Sequence, residues 1–198
     1  MFNIPDSEKK LKSTISRYKS ALNKEKKTYG DISDGSGKRY LLFSLYFILD
    51  DLKKSADYFE WYLSEFTDDS GEPIQKLCWA ISLYRMARDS EAKQMACELM
   101  LSNLYVIPFI TGQKIEKINM WHSSNYETPD FVEYIPEEIV HNIKESELTW
   151  LRDLHDSLEF RRIRKRYIEI YHELDRTNEV KERKKLLNES YRLSVLKP

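Results

Sequence analysis

Two segments of this chain, 40–66 and 76–102, are weak copies of each other at an offset of 36 residues. Each copy has the pattern of two amphipathic helices with a short break between them. A repeat period in this range is typical of stacked helical arrays, in which each unit buries its apolar face against the next. The sequence therefore predicts a helical scaffold and names no substrate. Apolar residues align with apolar ones and small with small; the pairs are Leu41 and Leu77, Phe43 and Trp79, Ser44 and Ala80, Phe47 and Leu83, Ala56 and Ala92, Phe59 and Met95, and Leu63 and Leu99.

Composition supports a mostly helical chain of 198 residues, because it holds only 5 Gly and 6 Pro. The first ten residues are charged and carry no apolar segment, so we expect no signal peptide. The longest apolar run, 40–49, has about half the length of a membrane span, so we expect a buried helix and no membrane partner. Cys78 and Cys97 stand without a CxxC motif, which is typical of reduced thiols in a cytoplasmic protein.

The pattern divides the chain into four regions. We predict an N-terminal amphipathic helix (1–30), two helix pairs (31–104), an ordered aromatic-rich connecting segment (105–135) and a C-terminal helical region (136–198). The net charge of −1 is uneven, since residues 1–28 carry 8 Lys and Arg against 3 Asp and Glu, and the middle of the chain is acidic. Charged helix faces usually face water, and steering of a charged partner is the alternative.

Patterns outside the repeat predict further helices. In the first region Leu11, Ile15, Tyr18 and Leu22 form a narrow apolar stripe that resembles a coiled-coil seam, so homo-oligomerisation is one option. After a short helix at 136–143, we expect one long helix starting near Ser146. A last helix should start near Asn178 and turn three apolar side chains inward, those of Leu186, Leu187 and Tyr191.

The connecting segment has neither helical nor alternating periodicity. Its apolar side chains are costly to leave in water, so we expect the segment to fold back onto the helices. These side chains are Ile107, Phe109, Ile110, Trp121, Tyr126, Phe131 and Tyr134.

The small residues at Ser44 and Ala80 and at Ala56 and Ala92 resemble the tetratricopeptide repeat over about residues 38–104. This resemblance implies an all-α fold of antiparallel helix pairs, stacked as a short right-handed solenoid and capped by N- and C-terminal helices. It also implies a groove lined by the first helices that binds a protein or peptide. The segments 103–112 and 121–134 are similar to those that follow the last repeat in some bacterial proteins of this type, for which no activity is established.

In the best-known peptide-binding members of that family, the groove positions carry Lys and Asn residues that clamp a peptide carboxylate. At the matching positions this chain has mainly apolar residues and lacks those Lys and Asn side chains. We therefore expect an amphipathic helix or an apolar peptide as the ligand. The alternative is that the first helix and the connecting segment fill the groove. The groove positions are Leu41, Leu45, Ile48, Leu77, Ile81, Tyr84 and Arg85.

A polar and aromatic cluster in the connecting segment is a second candidate contact surface. In this hypothesis the rings of Trp121 and Tyr126 stack on a ligand, and His122 and Asn125 form hydrogen bonds with it. The alternative is a plug that closes the end of the repeat stack.

Catalytic patterns are sparse, and we expect no catalytic residue, cofactor or metal. Glu137, Glu138 and His141 share one helix face, a spacing that is common on exposed helices. Arg166 and His172 match the Arg-x(4–6)-His pattern of HEPN ribonucleases, which are also all-helical; a ribonuclease is therefore the alternative function. The basic run 161–166 spreads over several helix faces, so a nucleic-acid partner is not expected. The sequence favours a non-enzymatic interaction scaffold for a protein or peptide.

Overall fold

The computed structural model describes residues 4–194, and this part of the chain is all-helical. Residues 1–3 of the predicted N-terminal region and 195–198 of the C-terminal region lie outside it. No helix within the described range is both long and apolar enough to cross a bilayer. The helices are α1 (Glu8–Tyr29), α2 (Lys38–Leu49), α3 (Leu52–Glu65), α4 (Pro73–Arg85), α5 (Asp89–Ser102), α6 (Val106–Ile110), α7 (Glu137–His141), α8 (Glu145–Asp156), α9 (Leu158–Arg176) and α10 (Val180–Leu193), with 3₁₀ turns at Asn125–Glu127 and Pro129–Tyr134.

The two copies of the repeat each form a pair of helices, α2–α3 and α4–α5. Shifting α2 and α3 by 36 residues places their bounds within one residue of those of α4 and α5. α2 packs on α4. The Phe43 ring lies 5.2 Å from that of Phe59 within the first pair and 5.0 Å from that of Trp79 in α4, which joins the two pairs. The repeat offset therefore corresponds to a structural unit.

The turn before α4 is tightly specified. Gly71 has a φ of +67°, and a Cβ added there would lie 2.6 Å from the Gln75 side chain. The backbone N–H of Glu72 donates to Gln75 Oε1 at 3.1 Å. Pro73 follows in the first turn, where its missing N–H costs no hydrogen bond.

The apolar stripe of α1 packs against the chain's own core. Leu11, Ile15 and Leu22 are buried, and α1 packs on α2. The stripe therefore offers no free coiled-coil seam, which corrects the expectation drawn from its spacing.

The C-terminal region contains two helices where the sequence pattern predicted one long helix. The backbone of Ser157 is extended, and its Oγ accepts from the N–H of Phe160, so Ser157 caps α9. In α10, Leu186 is buried beside Ile170 and Leu174. The inward positions predicted for Leu187 and Tyr191 are wrong, since these side chains are exposed.

The connecting segment is folded back as expected, but it begins with a helix, α6, that the pattern did not predict. The buried Asn103 side chain holds it, because Nδ2 donates to the carbonyls of Tyr126 (2.6 Å) and Thr128 (3.1 Å). Its Oδ1 accepts from the N–H of Tyr105. Only some of its apolar side chains are buried, Ile107, Ile110 and Phe131 among them; Phe109, Trp121, Tyr126 and Tyr134 are exposed.

Candidate functional site

The groove expected along the first helices is filled by the chain itself. Leu45, Leu77 and Ile81 have no exposed surface, and Leu41 and Ile48 are half-buried. Ile48 packs against the core that contains the three buried residues, and a partner does not reach those three. We call the α2 and α4 side of the helix pairs the covered face.

Tyr84 and Arg85 show what covers this face. The Tyr84 ring stacks on Trp150 of α8 at 4.4 Å. Arg85 donates to the Glu147 carboxylate through Nε (2.8 Å) and Nη2 (3.0 Å), and to Asp50 through Nη1 (2.8 Å). The Glu147 and Arg85 side chains are 2% and 6% exposed. Arg85 thus forms an internal ion pair in place of the expected partner contact.

The opposite side of the pairs carries an open groove, which we call the α3–α5 groove. It has a volume of about 600 Å³. Its lining includes the apolar side chains of Phe59, Trp79, Leu83 and Met95. Leu63 lines it with 57% of its surface exposed, although its repeat equivalent, Leu99, is fully buried. Phe59, Trp79, Leu83 and Met95 are themselves buried, so Leu63 is the exposed apolar side chain among these five.

Charged residues around the α3–α5 groove are largely paired. Arg88 donates to both carboxylate oxygens of Glu91, at 2.7 and 2.5 Å. Lys93 pairs with Glu159 of α9 at 2.7 Å. Burial lowers the pKa of Lys76, which lies deeper in the groove. The paired charges thus leave the exposed Leu63 as the main open apolar side chain of the groove.

A second concavity, which we call the tyrosine cleft, adjoins this groove. Its volume is about 630 Å³, and its walls come from the start of α4, from α5, α9 and α10, and from the connecting segment. It shares Asp69, Ser70, Gly71, Lys76 and Glu98 with the α3–α5 groove, so the two lie side by side. Five tyrosines line the cleft: Tyr40, Tyr126, Tyr167, Tyr171 and Tyr191.

The tyrosine cleft is acidic. Asp69, Glu72, Glu98 and Glu127 line it together with a single basic residue, Lys76. Burial raises the pKa of Glu72 to about 7. Ionisable groups with shifted pKa values in a concavity are typical of functional sites.

Two residues that line the cleft, Tyr40 and Asp69, also bind a cation of the chain itself, although Arg39 does not line the cleft. The Arg39 guanidinium lies over the Tyr40 ring at 4.3 Å, and its Nε donates to Asp69 at 2.6 Å. Burial opposes ionisation of Asp69, but hydrogen bonds from the Tyr40 hydroxyl, the Gly71 N–H and Arg39 outweigh it, so the pKa of Asp69 is lowered. Ring and carboxylate together bind the guanidinium.

The cluster predicted at 121–126 is divided between different environments. Trp121 is 56% exposed and stacks on Tyr171 at 6.4 Å. His122 turns inward beside Tyr105, and its Nδ1 has no hydrogen-bond partner among the described residues. Asn125 is exposed. Of the four predicted residues, only Tyr126 lines the tyrosine cleft.

Arg166 and His172 do not converge. Arg166 pairs with Glu189 of α10 at 2.6 Å and with Glu173 at 2.7 Å. His172 Nε2 lies 2.7 Å from the carbonyl oxygen of Asn119. Six residues at about 100° each separate them by about 240° around α9, so they occupy different helix faces.

The three residues with possible metal-ligand spacing are all exposed: Glu137, Glu138 and His141. Within residues 4–194, no group of three or more His, Cys, Asp or Glu side chains is arranged to hold a metal ion.

Sequence reasoning missed the α3–α5 groove and most of the tyrosine cleft. One local signal was present: Tyr167 and Tyr171 are four residues apart, which places both rings on one side of a helix. Their hydroxyl oxygens lie 3.1 Å apart. The other cleft tyrosines come from distant parts of the sequence, so only the fold brings them together.

No protein-family model, curated protein or solved structure matches this chain.

Proposed function

We propose that this protein is a non-enzymatic interaction scaffold that binds a peptide segment of a partner protein in the α3–α5 groove. In this proposal α2–α5 are two tetratricopeptide-like helix pairs in a short right-handed solenoid, capped by α1 and by the C-terminal helices. The matching bounds of the two pairs support the repeat assignment. So do the small buried residues Ser44 and Ala80 at equivalent positions in α2 and α4.

The open α3–α5 groove, in which Leu63 is exposed beside buried apolar side chains of the core, carries the proposal. A folded chain gains stability by burying apolar surface, so a concave apolar surface left open is typical of a binding site. Leu63 is the most informative residue, because its exposed side chain adds apolar area beside Phe59 and Met95. A ligand that covers these side chains gains about 25 cal/mol for each Å² of apolar surface it buries.

The groove fits a peptide with apolar side chains. It runs between two helices, an arrangement that accepts an extended or helical segment along its length. The neighbouring Arg88 and Lys93 already have acidic partners, so they do not select an anionic ligand. We therefore assign the groove to apolar side chains of the partner, with the polar groups at its edges contacting the peptide backbone.

A displayed random peptide library, selected on the folded chain, tests this function. We expect enriched peptides to carry apolar residues and to lose about tenfold or more in affinity with Leu63→Glu, because that charge must lose its water when a peptide covers it. The matched control is Leu158→Glu, since Leu158 is 81% exposed at the start of α9 and lines neither concavity. Fluorescence anisotropy measures both.

Two results would contradict the proposal. One is a selection that enriches no peptide. The other is a set of peptides that bind the Leu63→Glu chain as tightly as the unaltered one, which would place the contact elsewhere.

A further inference from the structure

We propose that the tyrosine cleft binds a cationic side chain, arginine or lysine, of the same peptide whose apolar residues occupy the α3–α5 groove. This inference rests on the proposed function and adds the charge of the partner to it. The partner segment would then carry apolar residues at one end and a basic residue at the other.

The adjacency of the two concavities is the reason for assigning both side chains to one ligand. Asp69, Ser70, Gly71, Lys76 and Glu98 line both, so a single peptide segment laid across these shared residues contacts the groove and the cleft.

Aromatic rings make the cleft suitable for a cation. The face of a tyrosine ring attracts guanidinium and ammonium groups, and the attraction strengthens when water is excluded. Tyr126 and Tyr191 line the cleft and are 50% and 73% exposed, so their rings are accessible to a ligand. Arg39 on Tyr40 and Asp69 is an example that involves two residues of the cleft.

The charge balance of the cleft selects the sign of the ligand. Arg39 already pairs with Asp69, and Lys76 is attracted to Glu98. Glu127 accepts hydrogen bonds from the neutral Ser123 N–H and hydroxyl, which leave its charge in place. Glu72, with its pKa raised by burial, adds a second carboxylate that a nearby cation would help to ionise. A phosphate or carboxylate ligand would be repelled.

Removal of the exposed rings tests the assignment. The variant Tyr126→Ala/Tyr191→Ala is compared with Tyr29→Ala/Tyr134→Ala, whose tyrosines are 78% and 60% exposed and line neither concavity. The probes are the tightest peptide from the selection and its counterpart with every Arg and Lys replaced by Gln. Thermal unfolding checks that all variants fold.

We expect the cleft variant to bind the basic peptide about tenfold more weakly than the unaltered chain does. Its affinity for the Gln peptide should be unchanged. The control variant should bind both peptides as the unaltered chain does. Equal losses for the two peptides would overturn the inference. So would a library without Arg and Lys that yields peptides as tight as the full library.

The outcome for Leu63→Glu separates this inference from the proposed function. If peptides remain sensitive to Leu63→Glu but show no preference for basic residues, the function stands and the cation site is wrong. If they are insensitive to it, the proposed function itself fails. Spermidine is the final probe. If spermidine displaces the peptide and binds the chain as tightly as the peptide does, the cleft binds a free polyamine. That result would overturn the assignment of the cleft to a side chain of the peptide.

Discussion

The two faces of the helix pairs α2–α5 differ in how far the rest of the chain buries them. On the covered face, Leu45, Leu77 and Ile81 are fully buried, and α8 supplies Trp150 and Glu147 to close it. On the other face, the α3–α5 groove stays open, and the Leu63 side chain in it is exposed. Both faces are formed by amphipathic helices that carry apolar side chains.

The difference teaches that an apolar helix face does not by itself indicate a binding surface. What decides is whether another part of the chain covers it, and on the covered face α1 packs on α2 while α8 contacts the end of α4. α8 brings one buried carboxylate to meet Arg85 and one ring to meet Tyr84. Nothing among the described residues makes an equivalent contact over Leu63, which is why we assign partner binding to that side.

The largest expected effect comes from breaking the closure of the covered face. Arg85→Met should lower the free energy of unfolding by about 3–5 kcal/mol, because it leaves the buried Glu147 carboxylate without its charged partner. Urea denaturation measures the loss. Arg88→Met is the matched control: Arg88 pairs with Glu91 in a more exposed position, so we expect a change within about 1 kcal/mol.

A second change in the same chain sharpens this result. Arg85→Met with Glu147→Leu should recover part of the lost stability, since the unpaired charge is then absent. The loss of unfolding free energy in the double variant is compared with the sum of the losses in the two single variants. A larger loss in the double variant would show that the ion pair does not explain the effect.

The repeat offers an internal comparison of the two faces at one position. Leu99→Ala should cost about 2–5 kcal/mol, because Leu99 has no exposed surface and its loss leaves a cavity. Leu63→Ala, at the equivalent position 36 residues earlier, should change stability by less than about 0.5 kcal/mol but weaken peptide binding. Denaturation and anisotropy on the same samples check both. Similar stability losses would mean that Leu63 belongs to the core.

Acid should lower the free energy of unfolding through a buried histidine in α8. His155 of α8 is buried, its ring nitrogens have no hydrogen-bond partner among the described residues, and burial, with Arg164 nearby, lowers its pKa to about 4. The unfolded chain binds a proton near pH 6.5 and the folded chain does not. Stability therefore falls as the pH drops from about 6.5 towards 4.

The measurement is the difference in unfolding free energy between the unaltered chain and His155→Leu. From pH 7.5 to pH 5 the unaltered chain should lose about 2 kcal/mol more than the variant. The opposite trend from Glu72, whose pKa is raised, is present in both chains and cancels. Asp156 and Arg161, which also face His155, are the same residues in both chains. Parallel pH profiles would contradict the assignment.

The sequence predicted the helices well where periodicity was strong. The 36-residue offset located α2–α5, and the stripe of Leu11, Ile15 and Leu22 located α1. The break at Ser157 was missed because the apolar spacing continues across it, and only the local cap shows that a new helix begins. α6 was missed because five residues are too few for a helical period.

The candidate site was harder to predict, because a sequence pattern does not say which apolar face another part of the chain will cover. Arg85 was placed in a groove, whereas Glu147, 62 residues away, buries it. The tyrosine cleft combines Tyr40, Tyr126 and Tyr191, which are far apart in the sequence. Long-range packing of this kind leaves no local signal.

Methyl NMR of the chain titrated with the tightest selected peptide tests most directly which face binds. The account predicts shifts at the Leu63 and Met95 methyl groups, which line the α3–α5 groove, and none at Leu45 and Leu77 in the covered face. Shifts at Leu45 and Leu77 with Leu63 and Met95 unchanged would contradict it, because they would show that the peptide displaces α8 and binds the first helices instead.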